Sequence, residues 1–369
     1  MIIQSVELRM VGLPLREPFV ASYGEEKNKE FILVYVEMGD VIGIGECVAL
    51  SAPLYSPETY ETAWYVLSHF FIPAVLGKDL SHPGEIREWL SSFRGHPMAK
   101  ASIETAIWDA YAKSMSIPLT QLIGGRDIEI PVGISIGIQP TITQLLKKIE
   151  LYLESGYHRF KVKIMPETGY ATLNAVRREF KDLPLMADAN SAYTLNDVPL
   201  LRQLDDLDLM MIEQPLSFDD IMDHAKLQKE INTPICLDES LNSLSDVKNA
   251  LELGACKIVN LKIGRVGGLS EALDIEALCR RENIPLWCGG MLEAGVGRVF
   301  NLAISTLPGF TLPGDTGPSS RYFREDIINP PVEFTRPGYL RAPSNPGIGV
   351  ALHEEYIDKL TVKKEKYSL

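Results

Sequence analysis

Three acidic residues, Asp188, Glu213 and Asp238, each end a short apolar run, and they are spaced 25 and 25 residues apart. If the runs are parallel strands, the three carboxylates meet at one edge, where unpaired they would repel and raise one another's pKa. A divalent cation would neutralise them, and oxygen-only ligands favour a hard ion such as Mg²⁺. A single acid of this kind could instead cap the following helix. The ordered set of three therefore predicts a metal site.

Lysines accompany these acids in the same half of the chain. Lys161 and Lys163 alternate with Val162, so a strand would place both lysine side chains on one face. Lys262 ends a later run and would face Lys163 across a closed ring of strands. Two amines on opposite sides of a bound carbon acid can remove a proton from one face and return one to the other. The alternative is that the lysines only balance the charge of the acids.

The elements that must position these side chains follow from the spacing of the apolar runs. Amphipathic stretches of helical period separate the runs, which predicts repeated strand–helix units. The last residues of successive runs are 25, 25, 25, 24 and 26 positions apart. The runs are residues 160–163, 185–188, 210–213, 235–238, 258–262 and 284–288. Adding 132–136 and 310–312 gives eight strands, enough to close a barrel. An open doubly wound sheet is the alternative, but no GxGxxG follows Ile136.

The first part of the chain has a different pattern, and we predict three regions: 1–125, 126–325 and 326–369. Residues 1–125 contain three β segments (2–11, 31–38 and 41–47), with a turn at Gly39 and Asp40, followed by a helical region. The clearest amphipathic helix there covers residues 99–111. This indicates an α+β capping domain before a barrel at 126–325. We expect residues 326–369 to return to the capping domain, with a charged, frayed tail over 363–369.

Composition excludes several classes of function. Lys and Arg number 36 and Asp and Glu number 49, which gives a net charge of −13. Nucleic-acid binding needs a basic face, so we expect neither a nucleic-acid nor a membrane partner. With no signal-peptide pattern and no apolar span of about 20 residues, we predict a cytoplasmic protein. Five cysteines without CxxC spacing indicate buried free thiols. None of the six histidines ends a predicted barrel strand, so a histidine base is not expected.

At these residues the chain closely resembles the enolase superfamily, and within it the muconate-lactonising subgroup. The resemblance covers essentially the whole chain. The matching segments are KVKI (161–164), MADAN (186–190), MIEQP (211–215), CLDES (236–240), NLKIGRVGG (260–268), WCGGMLEAGVGR (287–298) and LPGDT (312–316).

This resemblance implies a modified (β/α)7β barrel of the TIM type with an N-terminal α+β capping domain. It implies that Asp188, Glu213 and Asp238 bind Mg²⁺, for which Mn²⁺ or another divalent cation can substitute. It makes Lys163 and Lys262 the paired acid–base residues, with Glu239 as a polar partner of the site. The substrate-binding residues that it implies are Lys161, Ser135, Asn190, Arg265, Gly289, Gly290, Met291, Glu293 and, on a lid over the barrel mouth, Phe19 and Tyr23.

Within the subgroup the chain is most similar to o-succinylbenzoate synthases that also racemise N-acylamino acids, including N-succinylamino acids. Arg265 and the GGMLEAGVGR segment support that branch. The resemblance then implies a small-molecule carboxylate substrate, menaquinone biosynthesis and a homo-oligomer. Dipeptide epimerase and muconate cycloisomerase use the same lysines and metal and remain alternatives. Epimerases of the subgroup usually carry Asp-x-Asp near the eighth strand, where this chain has only Asp315. A non-catalytic carboxylate-binding barrel is a more remote alternative.

Overall fold

A computed structural model of the chain describes residues 1–21 and 24–369, and the side chains of residues 18–27 fall outside the description. The two predicted lid aromatics are affected. Tyr23 lies outside the described residues, and so does the side chain of Phe19.

The chain begins with an antiparallel sheet of three long strands, β1 (Ile3–Ala21), β2 (Gly24–Met38) and β3 (Val41–Cys47). Met38 and Val41 are partners across the β2–β3 hairpin, and Gly39 has a φ of 62° in the turn between them. The predicted turn is therefore confirmed, because glycine adopts positive φ without steric cost. β1 and β2 extend well beyond the predicted segments and pair antiparallel, with a shift of register between Pro14 and Phe19.

Helices cover one face of this sheet. They are α1 (Tyr60–Val66), α2 (Ile72–Val75), α3 (Ile86–Trp89), α4 (Pro97–Ser114) and α5 (Leu119–Leu122). A Cβ added to Gly43 or Gly45 of β3 would lie 1.9 Å from Ala106 O or 2.0 Å from Ser102 O, so glycine permits the close approach of α4. The prediction of an amphipathic helix over 99–111 is wrong in one respect. Thirteen of the 18 residues of α4 are buried, because the sheet covers one side of the helix and other elements cover the rest.

The short strand β4 (Glu129–Pro131) precedes a regular alternation of strands and helices. The strands are β5 (Gly133–Ile136), β6 (Arg159–Lys163), β7 (Leu185–Asp188), β8 (Ile212–Glu213), β9 (Ile235–Leu237), β10 (Ile258–Leu261) and β11 (Leu286–Cys288). The helices are α6 (Ile142–Glu154), α7 (Gly169–Glu179), α8 (Val198–Gln203), α9 (Met222–Leu227), α10 (Leu244–Leu253), α11 (Leu269–Arg281) and α12 (Gly295–Ser305). The strands β5 to β11 pair in chain order as one parallel sheet.

The sheet is closed by residues 310–314, which bridge both of its edges. Phe310 forms a parallel bridge with Leu286, and Gly314 forms one with Val132. The predicted barrel class is confirmed, but the eighth run, 310–312, does not form a regular strand. The amides of Thr311 and Leu312 both donate to Leu286 O, and Pro313 has no amide hydrogen to continue a ladder. Inside the barrel Met186, Met211, Cys236, Ile258 and Trp287 form a separate apolar cluster.

The C-terminal elements connect the barrel back to the first sheet. They are α13 (Ser319–Tyr322), β12 (Ile328–Asn329), β13 (Tyr339–Arg341), β14 (Ala351–Leu352), α14 (Glu354–Leu360) and β15 (Thr361–Ser368). β15 pairs antiparallel with β1 along its length. The prediction of a frayed tail is therefore wrong, since the charged residues 363–366 belong to an edge strand. The domain limits at 125 and 325 stay a prediction.

All five cysteines are free and buried, as the sequence predicts. Among the described helices, none is long and apolar enough to cross a membrane.

Candidate active site

The alternation of β6 aims a row of cationic side chains into the barrel. Phe160 and Val162 belong to the apolar core that surrounds the strands, so Arg159, Lys161 and Lys163 point to the opposite face. The guanidinium carbon of Arg159 lies 4.6 Å from the centre of the Trp287 ring, and Lys161 Nζ lies 4.8 Å from it. The indole therefore forms the floor beneath the charged residues.

Lys161 is buried among three carboxylates. Its Nζ lies 2.7 Å from Asp315 Oδ2, 3.0 Å from Glu213 Oε2 and 3.4 Å from Asp188 Oδ2. Burial alone would lower the pKa of Lys161, but these carboxylates outweigh it and raise the pKa well above its ordinary value. Lys161 is therefore a fixed positive charge at the centre of the acidic cluster.

Lys163 lies nearer the barrel mouth, and its hydrogen-bond partners among the described residues belong to the barrel. Its Nζ donates to Asp188 Oδ2 at 2.6 Å and to Asn190 Oδ1 at 2.5 Å. Asn190 follows β7 with a φ of 41°, a conformation that asparagine tolerates better than most residues. Its side-chain Nδ2 donates to Glu239 Oε1 at 3.2 Å. Burial opposes the ionisation of Asp188, but Lys163 and Lys161 together lower its pKa to about 2.

Lys262 approaches the cavity from the other side of the ring. Its Nζ donates to Asp238 Oδ2 at 2.8 Å and to the hydroxyl of Tyr55 at 3.0 Å. The Tyr55 hydroxyl in turn donates to Asp238 Oδ1 at 3.1 Å. Burial would lower the pKa of Lys262, but Asp238 and Tyr55 raise it well above its ordinary value. A cap residue thus completes the surroundings of this lysine.

Glu213, between the two lysines in strand order, has the least favourable surroundings for a charged carboxylate. Burial, together with the negative charge of Asp188, raises the pKa of Glu213 to about 8. Its partners are Lys161 and the Asn260 side-chain amide, which donates to Glu213 Oε1 at 2.8 Å. Oε2 of the neighbouring Glu239 is buried, and no described residue is its hydrogen-bond partner. Carboxyl groups are therefore crowded at the ends of β7, β8 and β9, and the crowding favours the protonated form of Glu213.

A cavity of about 80 Å³ lies between these side chains and is lined from both the cap and the barrel. The predicted site residues that line it are Ser135, Lys161, Lys163, Asp188, Asn190, Asp238, Lys262, Gly290, Met291 and Glu293.

The other predicted site residues lie behind the cavity wall. Glu213 is beneath Lys161, and Glu239 is beside Asn190. Gly289 permits a close approach, since a Cβ there would lie 2.2 Å from Asn260 Oδ1 and 2.7 Å from Lys262 Cε.

Arg265 does not occupy the substrate-facing position that the resemblance implies. Its guanidinium is buried against Asp238 Oδ1, and it also donates to Leu241 O at 2.7 Å and to Asn260 O at 2.6 Å. Asp238 and two backbone carbonyls therefore hold the Arg265 guanidinium behind the cavity wall. The charge of Arg265 acts on Asp238 and only indirectly on the cavity.

Sequence reasoning missed several residues that line the cavity. They are Leu50, Tyr55, Leu292, Arg298, Asp315, Thr316 and Tyr322. Asp315 had a usable signal, because it lies three residues after the eighth run, whereas Asp188 and Asp238 end theirs. Tyr55 had none, since it lies in a cap loop outside any repeat.

The cap is attached to the barrel beside the cavity. Glu46 of β3 accepts from the amides of Ala294 at 2.8 Å and Gly297 at 2.7 Å, at the start of α12. Lys29 Nζ donates to Met291 O at 3.4 Å. A helix N-terminus offers unpaired amides, and a buried carboxylate satisfies them. The loop that carries Gly290 and Met291 is thus fixed by cap residues.

The capped β/α barrel, with lysines and carboxylates gathered at its strand ends, defines the class of the protein: a barrel enzyme with acid–base side chains at the mouth. Residues 3–124 match the N-terminal domain of the mandelate racemase / muconate lactonizing enzyme family. Residues 144–356 match the enolase C-terminal domain-like family. The chain therefore belongs to the enolase superfamily, and the predicted membership is confirmed.

Relatives of known name cover nearly the whole chain. An o-succinylbenzoate synthase of Geobacillus kaustophilus is 52% identical over 97% of this chain and 96% of its own. An N-succinylamino acid racemase of Thermus thermophilus is 46% identical over 98% of this chain and 97% of its own. The crystal structure of an enolase-superfamily member from Listeria innocua superposes with a TM-score of 0.97 at 43% identity, covering 100% of this chain and 99% of that one.

Proposed function

We propose that the chain is an o-succinylbenzoate synthase that also racemises N-succinylamino acids and other N-acylamino acids. The observation that carries the proposal is the placement of Lys163 and Lys262 on one cavity, from β6 and from the end of β10, with β7, β8 and β9 between them. A substrate bound in this cavity has Lys163 Nζ towards one face of its α-carbon and Lys262 Nζ towards the opposite face. The names of the relatives supply the two candidate reactions.

A divalent cation, with Mg²⁺ as our choice, belongs to this proposal. Asp188, Glu213 and Asp238 offer only oxygen donors, which suits a hard cation, and the unpartnered Glu239 Oε2 lies next to them. In the described part of the chain no three acidic, histidine or cysteine side chains are gathered ready to hold a metal, because ammonium groups occupy the space among the carboxylates. When bound, the cation supplies positive charge that stabilises an ionised substrate carboxylate as its α-carbon loses a proton.

The racemase reaction uses both lysines. Lys163 Nζ accepts the proton from the α-carbon of an N-acylamino acid on one face, and Lys262 Nζ donates a proton to the opposite face. In the other direction the roles exchange. Lys161, held by three carboxylates, keeps a positive charge beside the substrate carboxylate throughout.

The synthase reaction needs the base on one side only. Lys163 Nζ accepts the proton α to the carboxylate of 2-succinyl-6-hydroxy-2,4-cyclohexadiene-1-carboxylate. The electron pair of that C–H bond forms the new ring double bond, and the ring C–O bond breaks on the same face. The hydroxyl takes up the proton that Lys163 Nζ has accepted and leaves as water, which restores the neutral amine, and the product is the aromatic o-succinylbenzoate. Both substrates carry a succinyl group, so one cavity can serve both reactions.

The alternatives fit the site less well. An epimerase of dipeptides needs a free acid to hold the substrate amine, but Asp315 is bound by Lys161 at 2.7 Å and by Arg159 Nη2 at 2.5 Å. Burial alone would raise the pKa of Asp315, but these two cations keep it well below its usual range. A non-catalytic barrel would lack a lysine or a metal-site acid, and this chain has all of them. A homo-oligomer in the cytoplasm stays part of the prediction.

The test is a direct comparison of activities with Mg²⁺ present. We expect turnover of the cyclohexadiene substrate and racemisation of N-succinyl-phenylalanine, measured as kcat/KM by absorbance and by polarimetry. N-acetyl-phenylalanine and L-Ala-L-Glu serve as comparison substrates. Absence of both expected activities, or a preference for the dipeptide, would contradict the proposal.

A further inference from the structure

A second hollow adjoins the central cavity and meets it at Ser135 and Tyr322, which line both. The central cavity, at about 80 Å³, is small for a drug-sized ligand, since such pockets usually measure about 300–1,000 Å³. The adjoining hollow has a volume of about 810 Å³. Its charged lining residues are Arg16, Glu17, Lys148, Arg321 and Glu333. A substrate held at the lysines therefore has room to extend past Ser135 into a space with more cations than acids.

Arg321 stands at the junction of the two spaces. Its Nη2 donates to Ser135 O at 3.1 Å, and its guanidinium carbon lies 4.9 Å from the Tyr152 ring centre and 5.2 Å from that of Tyr322. Its Nε is buried and has no hydrogen-bond partner among the residues that the structure describes. The side chain is thus held between two aromatic rings with donor capacity left over.

Arg321 differs from Arg159 and Arg265 in lacking an acid among the described residues. Arg298, which lines the central cavity, also lacks one, but it donates to two backbone carbonyls, Gly317 O and Glu293 O, at 2.8 Å each. Arg159 is paired with Asp315, and Arg265 with Asp238. Among the described residues, no carboxylate lies within ion-pair distance of Arg321. Glu333 shares the hollow, but its two oxygens accept from the amide of Ser320 at 3.1 Å and from its hydroxyl at 2.8 Å.

A largely buried charge without an opposite charge is costly, and an anion that arrives with a ligand removes that cost. A guanidinium presents paired donors that match the two oxygens of a carboxylate. Ser135 is the partner of Lys161 in the β5–β6 pair, so Arg321 is one strand away from the catalytic strand. In an N-succinylamino acid, five bonds separate the α-carbon from the distal carboxyl carbon, a reach of about 6 Å when extended.

We propose that Arg321 is a specificity-determining residue that binds the distal carboxylate of the substrate's acyl chain. It favours acyl groups derived from a dicarboxylic acid, such as succinyl, over neutral acyl groups such as acetyl. This inference rests on the proposed function for the position of the amide and α-carbon. The inference adds that the acyl end of the substrate lies in the adjoining hollow and contacts Arg321.

The experiment compares Arg321→Gln with the matched control Arg324→Gln, a change at an exposed arginine three residues further on, outside this hollow. We expect Arg321→Gln to lower kcat/KM for N-succinyl-phenylalanine by about 10- to 100-fold, the range of a hydrogen-bonded charge pair. The value for N-acetyl-phenylalanine should change by less than about threefold. The control should change neither. An unchanged ratio of the two substrates in Arg321→Gln would overturn the proposal, and so would an equal loss on both.

A binding measurement separates this inference from the proposed function. Calorimetric titration of the Mg²⁺-loaded wild type with N-succinylglycine and N-acetylglycine should show tighter binding of the succinyl compound, and Arg321→Gln should remove the difference. Should the protein catalyse neither reaction yet bind N-succinylglycine through Arg321, the function fails and the subsite stands. Equal affinity for the two ligands in active wild type leaves the function intact and overturns the subsite. If Arg321→Gln does not fold, Arg321→Lys, which keeps the charge but not the paired donors, should show a smaller shift in the same ratio, and an unchanged ratio would overturn the proposal.

Discussion

The two lysines of the cavity are held in different ways. Lys163 has its contacts, Asp188 and Asn190, at the end of β7 and in the residues after it, all within the barrel. Lys262 shares Asp238 with Tyr55, which comes from the cap. Arg265 lies behind Asp238 on the same side.

Among the described residues, barrel side chains therefore position Lys163, whereas the position of Lys262 also depends on how the cap is docked. A disturbance of the cap should therefore reach Lys262 before Lys163. In a racemase the two groups act on opposite faces, so each side can be followed separately. Deuterium exchange from the L and the D substrate in D₂O reports on one lysine each.

The largest expected effect comes from removing either lysine. Lys163→Ala should lower synthase and racemase turnover by about 1,000-fold or more, because a positioned acid–base group is lost. Lys262→Ala should abolish exchange from only one enantiomer. Unchanged circular dichroism would show that both variants fold. Near-wild-type turnover of Lys163→Ala, or unchanged exchange from both enantiomers in Lys262→Ala, would contradict the two-base arrangement.

Metal removal should affect both sides of the cavity equally. After exhaustive chelation we expect synthase and racemase activities to disappear, and added Mg²⁺ to restore them, because the buried carboxylates and the substrate carboxylate then lack a common cation. The measurement is initial rate against metal concentration. Full activity of the chelated protein would reject the proposed metal site.

Single contacts should separate the two sides. Tyr55→Phe removes the hydroxyl between Lys262 and Asp238, and we expect exchange on the Lys262 side to fall about tenfold while the Lys163 side stays within about twofold. Asn190→Gly is the matched change, since it removes the amide at Lys163 and keeps a residue that accepts positive φ. Asn190→Gly should lower exchange on the Lys163 side and leave exchange on the Lys262 side nearly unchanged. Equal losses on both faces from either variant would show that the two sides are not independent.

The smallest effect concerns the attachment of cap to barrel away from the lysines. Glu104 of α4 accepts from the amide of Ser270 in α11 at 3.2 Å, and burial raises its pKa to about 7. The folded protein thus keeps this proton over a range where the unfolded chain, with an ordinary pKa of 4.5, releases it. The contribution of this retained proton to the free energy of unfolding is complete below pH 4.5 and is lost as the pH rises towards 7.

Glu104→Gln carries no such proton, so its stability should depend less on pH. Between pH 5 and pH 8 the difference in free energy of unfolding between variant and wild type should move in favour of the variant by on the order of 2 kcal/mol. Denaturant titrations at the two pH values measure it. Parallel pH profiles of the two proteins would contradict a raised pKa at Glu104.

The acids and lysines of the site could be predicted because a repeat of about 25 residues places them at equivalent strand ends. The barrel class could be predicted for the same reason. Tyr55 could not, because its position depends on the docking of a loop that follows no period. The absence of a regular strand at 310–312 could not be predicted, because the apolar pattern of these residues is that of a strand. The hydrogen-bond ladder stops at Pro313, which has no amide hydrogen. The proposed role of Arg321 could not be predicted either. It rests on the lack of a nearby carboxylate among the described residues, and the sequence does not show which side chains are near one another.

The pairing of β15 with β1 has a consequence for the order in which the protein can be assembled. The first sheet contains residues from both ends of the sequence, so β1 has an unpaired edge until residues 361–368 have left the ribosome. Exposed strand edges favour association with other chains. The barrel, whose neighbouring strands are about 25 residues apart, can form contacts as it emerges, whereas the sheet that carries the cap must wait. The edge of β1 therefore stays open to other chains for longer than the edges of neighbouring barrel strands.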